Sequence, residues 1–153
     1  MRELARRHVA SLASDPLRLR EARSWLVGLV LEERFSEEDA QDLAVAFSEA
    51  CANVHRHAYH GRCDGRVDLD VTIEDDRVVV VLDHDGEPFD PARYARPDLR
   101  RPSESGYGLF LISSLVDEVS FGRVGSGRRL VLVKRKRTGS SGMKNERGEG
   151  EHV

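Results

Sequence analysis

Residues 49–57 read Glu49-Ala50-Cys51-Ala52-Asn53-Val54-His55-Arg56-His57, and three polar side chains in this stretch recur at every fourth position. On a helix, Glu49, Asn53 and His57 would form one polar row, because residues four apart lie on the same helical face. A carboxylate, a carboxamide and an imidazole in one row can accept a proton, hold a metal-bound phosphate and brace a site. The stretch therefore predicts a helix that carries functional side chains.

Two glycine-bearing segments follow further along the chain. They read Asp83-His84-Asp85-Gly86-Glu87-Pro88-Phe89-Asp90 and Gly106-Tyr107-Gly108-Leu109-Phe110-Leu111. Glycine lets a backbone approach a ligand closely, and the N–H groups at the start of a helix attract anions such as phosphate. None of the three segments is decisive alone, but their order and spacing together indicate one composite site.

Start signals predict two helices before and around the first segment. Asp15 suits an N-cap and Pro16 the first helical position, and Ser36 with three acidic residues after it suits a second helix start. Each helix then carries an apolar stripe, formed by Leu19, Ala22, Leu26, Leu29 and Val30 in the first and by Leu43, Phe47, Ala50, Val54 and Ala58 in the second. We expect residues 3–13 to form a strand rather than a helical turn, and residues 59–65 to end the second helix.

The second half of the chain predicts strands with one more helix. Residues 67–73 alternate apolar and polar side chains, and residues 78–82 form a continuous apolar run that fits a central strand. A helix is expected over residues 106–115, followed by a hairpin of residues 119–124 and 130–134 around a glycine turn. This order predicts an α+β fold, a two-layer α/β sandwich with helices on one face of a mixed, mainly antiparallel sheet.

Two segments differ in character from the rest. Residues 90–105 contain three prolines and four arginines, which predicts a long connection, and such connections are usually functional lids or disordered. From Arg137 onward Ser, Gly, Lys and Glu dominate, so we expect residues 1–136 to form the domain and residues 137–153 a disordered tail.

Composition narrows the classes of function. The formal net charge of −3 gives no reason to expect direct binding to nucleic acid. No apolar run reaches transmembrane length, and the N-terminal residues lack the apolar region of a signal peptide. The two cysteines suit a reducing compartment, so we expect a cytoplasmic protein without contact with a membrane.

The three segments resemble the boxes of the Bergerat-fold ATPases, which include gyrase, the histidine kinases and the bacterial anti-sigma-factor serine kinases. The last group is most similar, since His57-Ala58-Tyr59, Pro88-Phe89-Asp90-Pro91 and Gly106-Tyr107-Gly108-Leu109-Phe110-Leu111-Ile112 resemble its versions of the motifs. The similarity runs from about residue 16 to 136. A histidine kinase is less similar, because no helix pair with a phospho-accepting histidine accompanies the domain.

The resemblance implies an ATP-dependent protein serine/threonine kinase that is also an anti-sigma factor. Such a protein binds a sigma factor and phosphorylates a serine of a small anti-anti-sigma protein, with ATP and Mg²⁺ as cofactors, and family members often form homodimers. By the same resemblance, Glu49 would be the catalytic base and Asn53 the Mg²⁺ ligand.

The resemblance also implies a set of nucleotide-binding residues. These are Asn53, His57, Asp83, His84, Asp85, Gly86, Arg100, Arg101, Gly106, Tyr107, Gly108 and Leu109. One position departs from the family pattern, because His84 stands where the family has the aspartate that accepts a hydrogen bond from the adenine amino group. Asp83 or Asp85 could take that role only if the strand shifted its register.

Three alternatives remain open at this point. The chain could be a binding module without catalysis that captures its partner stoichiometrically, with His84 as the mark of weakened nucleotide binding. It could also be a regulator of secretion or of a two-component pathway that reuses the domain. A zinc site of Cys51, His55, His60 and Cys63 is the least favoured, because the paired-cysteine spacing of such sites is absent.

Overall fold

The computed structural model describes residues 5–88 and 104–137, and over residues 104–109 it describes the backbone alone. Its elements are β1 (Arg6–Ala13), α1 (Pro16–Glu32), α2 (Glu37–Asn53), a π-helical turn (Val54–Ala58), β2 (Arg66–Ile73), β3 (Arg77–His84), α3 (Glu104–Leu115), β4 (Glu118–Val124) and β5 (Gly127–Arg135). The predicted strand before α1, both predicted helix starts and the C-terminal hairpin are therefore confirmed.

The described strands form a five-stranded sheet in the order β1-β2-β3-β5-β4. Every pairing between them is antiparallel, so the expected mixture of parallel and antiparallel pairs is wrong for the described part of the chain. β3 lies in the middle of the sheet, as its apolar run predicts. It brings His84, its last residue, between Val67 of β2 and Arg128 of β5.

Local signals in the sequence set the starts of α1 and α2. The carboxylate of Asp15 accepts a hydrogen bond from the backbone N–H of Leu17 at 3.0 Å. The hydroxyl of Ser36 accepts one from the N–H of Asp39, also at 3.0 Å. Each cap satisfies an N–H group that the first helical turn leaves without a partner inside the helix.

One face of the sheet packs against the helices and forms the core. Alternate residues of β3 are buried there, and the apolar stripes of α1 and α2 join them, except that Leu29 is only half-buried. Val79 and Val81 lie on the other face and stay half-buried, so the run in β3 is not buried on both sides as its continuity suggested. The two-layer α+β architecture is confirmed.

The C-terminal end of the described chain is tied to the start of α2. The backbone N–H of Arg137 donates to Asp39 at 3.1 Å, and its guanidinium lies 2.6 Å from Glu38 and 2.7 Å from Asp42. Arg137, the expected first residue of the tail, thus still packs on the domain. Residues 138–153 and the lid residues 90–103 lie outside the described part of the chain.

Candidate functional site

Glu49 and Asn53 occupy the last turn of α2, where the helix reaches the edge of the core. The side chain of Asn53 is buried at 7% exposure, and its Oδ1 accepts no hydrogen bond within the described residues. A buried amide oxygen without a partner is costly and uncommon, and its lone pairs are free for a ligand. Asn53 therefore has the character of a ligand residue rather than of a packing residue.

Glu49 lies one helical turn before Asn53 and is half-buried. It lines a groove of about 480 Å³ between α1 and α2, whose opposite wall includes Arg20 and Arg23 of α1. A carboxylate at the edge of such a groove is accessible to a group that enters from solvent. The geometry therefore allows Glu49 to act on a substrate that enters this groove, whereas Asn53 is buried and is not among the residues that line it.

His57, the third residue of the predicted row, lies in a different kind of helical turn from Glu49 and Asn53. After Asn53 the helix widens into a π-helical turn, in which the N–H of Tyr59 donates to the carbonyl of Val54 at 3.0 Å. The side chain of His57 is exposed, whereas Asn53 is buried. The role predicted for His57 stays a prediction, and π-turns often occur at functional sites.

The end of β3 separates the three candidate residues at the base-binding position. His84 points towards the helices and is 5% exposed. Asp83 lies on the opposite face of the sheet, where its carboxylate makes two hydrogen bonds of 2.8 Å with Arg129. Asp85 makes two of 2.8 Å with Arg66. Without a register shift neither carboxylate replaces His84, because neighbouring strand residues face opposite sides.

The ring of His84 is held by two contacts. Its Nδ1 accepts a hydrogen bond from the backbone N–H of Gly86 at 3.0 Å. Its edge meets the ring of Tyr59 in a T-shaped arrangement with 5.9 Å between centroids. Burial lowers the pKa of His84, and the charge of Arg128 lowers it further, so the ring is neutral at pH 7.

The turn after β3 packs directly on the end of the π-helical turn. A Cβ on Gly86 would lie 2.6 Å from the carbonyl oxygen of Ala58, so only glycine fits there without a shift of the backbone. The N–H of Glu87 donates to the same carbonyl at 3.0 Å. These contacts join the turn that carries His84 to the helix that carries Asn53.

Tyr59 completes this junction, and sequence reasoning did not assign it a role. Its hydroxyl donates to the carbonyl of Arg66 at 2.6 Å and accepts from the N–H of Asp85 at 2.8 Å. Its ring also lies against Gly65, where a Cβ would be 2.5 Å away. A buried tyrosine needs hydrogen-bond partners for its hydroxyl. Tyr59 follows the first segment closely in the sequence, and this position is the signal that could have identified it.

The remaining predicted residues are only partly described. α3 begins at Glu104, so Gly106, Tyr107, Gly108 and Leu109 lie in its first turns rather than in a turn before it. Their side chains lie outside the described part of the structure, as do Arg100 and Arg101 of the lid. The roles assigned to these residues stay predictions.

The donors in the described part of the chain suit a hard cation better than zinc. Among these residues no group of three or more His, Cys, Asp and Glu side chains could hold a metal ion. Burial raises the pKa of the Cys51 thiol, and Nδ1 of His55 is engaged with the carbonyl of Ser14 at 2.7 Å. The orphaned Oδ1 of Asn53, in contrast, is the kind of oxygen that Mg²⁺ accepts as a ligand.

Comparison with known proteins decides the family. Residues 12–134 match the family profile of the histidine kinase-like ATPase domain. The chain belongs to this ATPase family. It is 37% identical over 123 residues to the serine-protein kinase RsbW of Staphylococcus epidermidis, which covers 73% of this chain and 76% of that protein. It is 33% identical over 106 residues to RsbW of Oceanobacillus iheyensis, which covers 64% of this chain and 67% of that protein. These relatives place the chain among the serine-protein kinases of the superfamily, as the resemblance predicted.

Solved structures agree on the fold of this ATPase-family domain. The crystal structure of the RsbU and RsbW domains of Rv1364c from Mycobacterium tuberculosis matches with a TM-score of 0.64 and 19% identity over 86% of this chain. The blue-light activated histidine kinase EL346 of Erythrobacter litoralis matches with a TM-score of 0.51 and 19% identity over 70% of this chain. The chain spans only 32% and 33% of those two proteins, so the likeness concerns the fold alone. Within the described residues no helix is long and apolar enough to cross a membrane.

Proposed function

We propose that this protein is an ATP-dependent serine kinase that also acts as an anti-sigma factor. In this proposal it binds a sigma factor and phosphorylates a serine of a small anti-anti-sigma partner. The observation that carries the proposal is the pair of side chains at the end of α2: Asn53 has a buried oxygen without a partner, and Glu49 lies one turn away at an open groove. Membership of the ATPase family and identity to the RsbW kinases support it.

Each of these two residues has one role in the proposed reaction. Asn53 would hold Mg²⁺ through its amide oxygen, and the ion would supply neutralisation of the phosphate charge. Glu49 accepts the proton of the serine hydroxyl as the hydroxyl oxygen attacks the terminal phosphorus of ATP, and the bond from that phosphorus to the bridging oxygen breaks, so that ADP leaves. The groove between α1 and α2 gives the partner's serine access to Glu49 from solvent.

In this proposal the glycine segments bind the phosphates and the base. Gly106 lies in the first turn of α3, where N–H groups that have no partner inside the helix attract phosphate oxygens, and Gly108 follows in the next turn. Gly86 lets the turn after β3 pack closely on Ala58, beside the proposed position of the base. Arg100 and Arg101 of the lid remain candidates for a clamp on the phosphates.

A second function is favoured by one specific observation. His84 is a neutral, buried ring at the position where the family has an acidic hydrogen-bond acceptor. If this change abolished nucleotide binding, the chain would regulate by stoichiometric capture of its partner alone. Binding of a sigma factor that is the same with and without nucleotide, together with absent phosphorylation, would favour this reading.

The test is transfer of labelled phosphate from ATP to a purified anti-anti-sigma protein of the same organism. For Glu49→Gln we expect at least a hundredfold slower transfer, because general base catalysis contributes about 10²–10⁴ in rate. Its affinity for ATP should stay within about threefold of the original, since Glu49 acts on the hydroxyl rather than on the nucleotide. Glu21→Gln, a change on the exposed face of α1, is the control and should transfer phosphate at the original rate. Unchanged transfer by Glu49→Gln would refute the role of Glu49.

The purified protein can also be tested for the formation of a homodimer. Family resemblance implies a homodimer, and light scattering during gel filtration measures the mass directly. A mass of twice 17.2 kDa would support a dimer, and the same measurement with a sigma factor gives the stoichiometry of the complex.

A further inference from the structure

The position of one proton on His84 follows from its surroundings. The backbone N–H of Gly86 donates to Nδ1 of His84 at 3.0 Å, so Nδ1 must present a lone pair. In a neutral imidazole one nitrogen is an acceptor and the other carries the proton. The contact with Gly86 therefore places the proton on Nε2 and makes that atom a hydrogen-bond donor.

The ring has little freedom to reverse this assignment. Rotation by half a turn would break the bond with Gly86 and leave a polar atom of a 5% exposed side chain without its partner. The edge contact with Tyr59 also holds the ring plane. The carboxylates on either side cannot draw the proton to another site, because Asp83 is paired with Arg129 and Asp85 with Arg66.

The N–H of His84 places a hydrogen-bond donor at the base-recognition position, where the family has an acceptor. A carboxylate can only accept, and it therefore matches the amino group that adenine carries at C6. A ring N–H faces that amino group donor to donor. Guanine and hypoxanthine carry an oxygen at C6, which accepts a hydrogen bond and complements the Nε2–H of His84.

We propose that His84 makes this site take 6-oxopurine nucleoside triphosphates at least as tightly as ATP. The inference rests on the proposed function, since it presumes that the pocket at the end of β3 holds a purine base. The kinase chemistry of Glu49 and Asn53 is unaffected by it, because these residues serve the phosphates rather than the base.

Calorimetric titration with ATP and with inosine triphosphate, both with Mg²⁺, tests the preference. Inosine differs from adenosine only at C6 and N1, so the ratio of the two dissociation constants isolates the base edge. We expect inosine triphosphate to bind as tightly as ATP or more tightly. His84→Asp restores an acceptor and should shift the ratio towards ATP by about tenfold or more, the usual effect of matching a buried polar group.

Two controls separate base recognition from other effects of a new carboxylate. His60→Asp makes the same substitution on an exposed side chain, and should leave the ratio within about twofold of the original. If His84→Asp fails to fold, His84→Asn replaces it, because an amide offers both a donor and an acceptor and should shift the ratio in the same direction by less. Nitrogen-15 spectra of the ring test the proton position without any nucleotide, and we expect the signal of an unprotonated Nδ1.

The outcomes distinguish this inference from the proposed function. Binding of ATP tighter than that of inosine triphosphate, or a proton on Nδ1, would overturn the inference and leave the kinase proposal intact. An unchanged ratio in His84→Asp would also overturn it. If no nucleoside triphosphate binds at all, the kinase proposal and the inference both fail.

Discussion

The ammonium group of Lys134 lies 2.9 Å from the carbonyl oxygen of Leu115. Lys134 belongs to β5, and its side chain, 5% exposed, reaches under the end of α3 with Asp42 of α2 3.5 Å away. A cation at the C-terminal end of a helix satisfies a free carbonyl and complements the helix dipole. The contact therefore fastens α3, whose first turns carry the second glycine segment, to the sheet and to α2.

Lys134→Met should destabilise the protein through the loss of this contact. Methionine keeps much of the apolar stem but leaves the carbonyl of Leu115 without its donor, which costs about 1–3 kcal/mol. Asp42 keeps a partner, since Arg137 lies 2.7 Å from it. Urea unfolding gives the change in free energy, and Arg135→Met, at an exposed ion pair, should cost less than about 0.5 kcal/mol. Equal losses in both variants would contradict the prediction.

The fold was predictable where local chemistry decides it. The caps at Asp15 and Ser36 act through hydrogen bonds to residues two or three positions away, and the alternation in β2 reflects burial on one face of a sheet. The course of the chain after Asn53 was not predictable in this way. The π-helical turn coincides with tertiary contacts of its far end, where Tyr59 bonds to Arg66 and Asp85, and no local pattern encodes such partners.

The candidate site likewise contains a part that local sequence predicts and a part that depends on tertiary structure. The helical spacing of Glu49 and Asn53 needed only an α-helix, and the structure provides one to Asn53. Strand register decides which of the three polar residues at the end of β3 faces the helices. In the sheet His84 pairs with Val67 of β2 and with Arg128 of β5. Register is a property of the assembled sheet, so the sequence alone left Asp83, His84 and Asp85 open.

Gly86→Ala should disrupt the junction between the turn after β3 and α2. The added Cβ would lie 2.6 Å from the carbonyl oxygen of Ala58 and 2.7 Å from its Cβ, and these groups cannot move aside as a flexible side chain would. We expect a loss of about 1–3 kcal/mol in the free energy of unfolding, as for other overpacked sites, and weaker nucleotide binding.

Gly28→Ala is the matched control for that experiment. Gly28 lies on the exposed face of α1 with nothing within 4 Å of an added Cβ. Alanine should therefore stabilise the helix, by about 0.5–1 kcal/mol. A Gly86→Ala variant as stable as the original protein would show that the turn can move away from Ala58.

Asn53→Ala should separate function from stability. Without the amide oxygen we expect the Mg²⁺-dependent part of nucleotide affinity to disappear, which titration with and without Mg²⁺ measures. The free energy of unfolding should not fall, and should rise by up to about 1 kcal/mol, because the variant removes a buried oxygen that lacks a partner. Asn53→Asp keeps an oxygen ligand and should retain a dependence on Mg²⁺. A strongly destabilised Asn53→Ala protein would instead assign Asn53 a structural role.

The pKa of His84 predicts how stability depends on pH. Burial is the main cause that lowers this pKa below the ordinary value of 6.5, Arg128 and Arg66 lower it too, and Asp83 and Asp85 oppose them. The unfolded chain therefore takes up a proton at His84 before the folded protein does, so stability is complete above pH 6.5 and falls as the pH drops below it. Each unit of depression contributes about 1.4 kcal/mol.

His84→Gln tests this dependence, because glutamine is polar and does not titrate. Urea unfolding at pH 7.5 and pH 5.5 should give a smaller difference in free energy for the variant than for the original protein. This interval lies above the lowered pKa values of Asp70, Asp76 and Asp85, so those carboxylates stay charged throughout and do not add to the difference. An equal difference in both proteins would mean that another group, and not His84, takes up the proton.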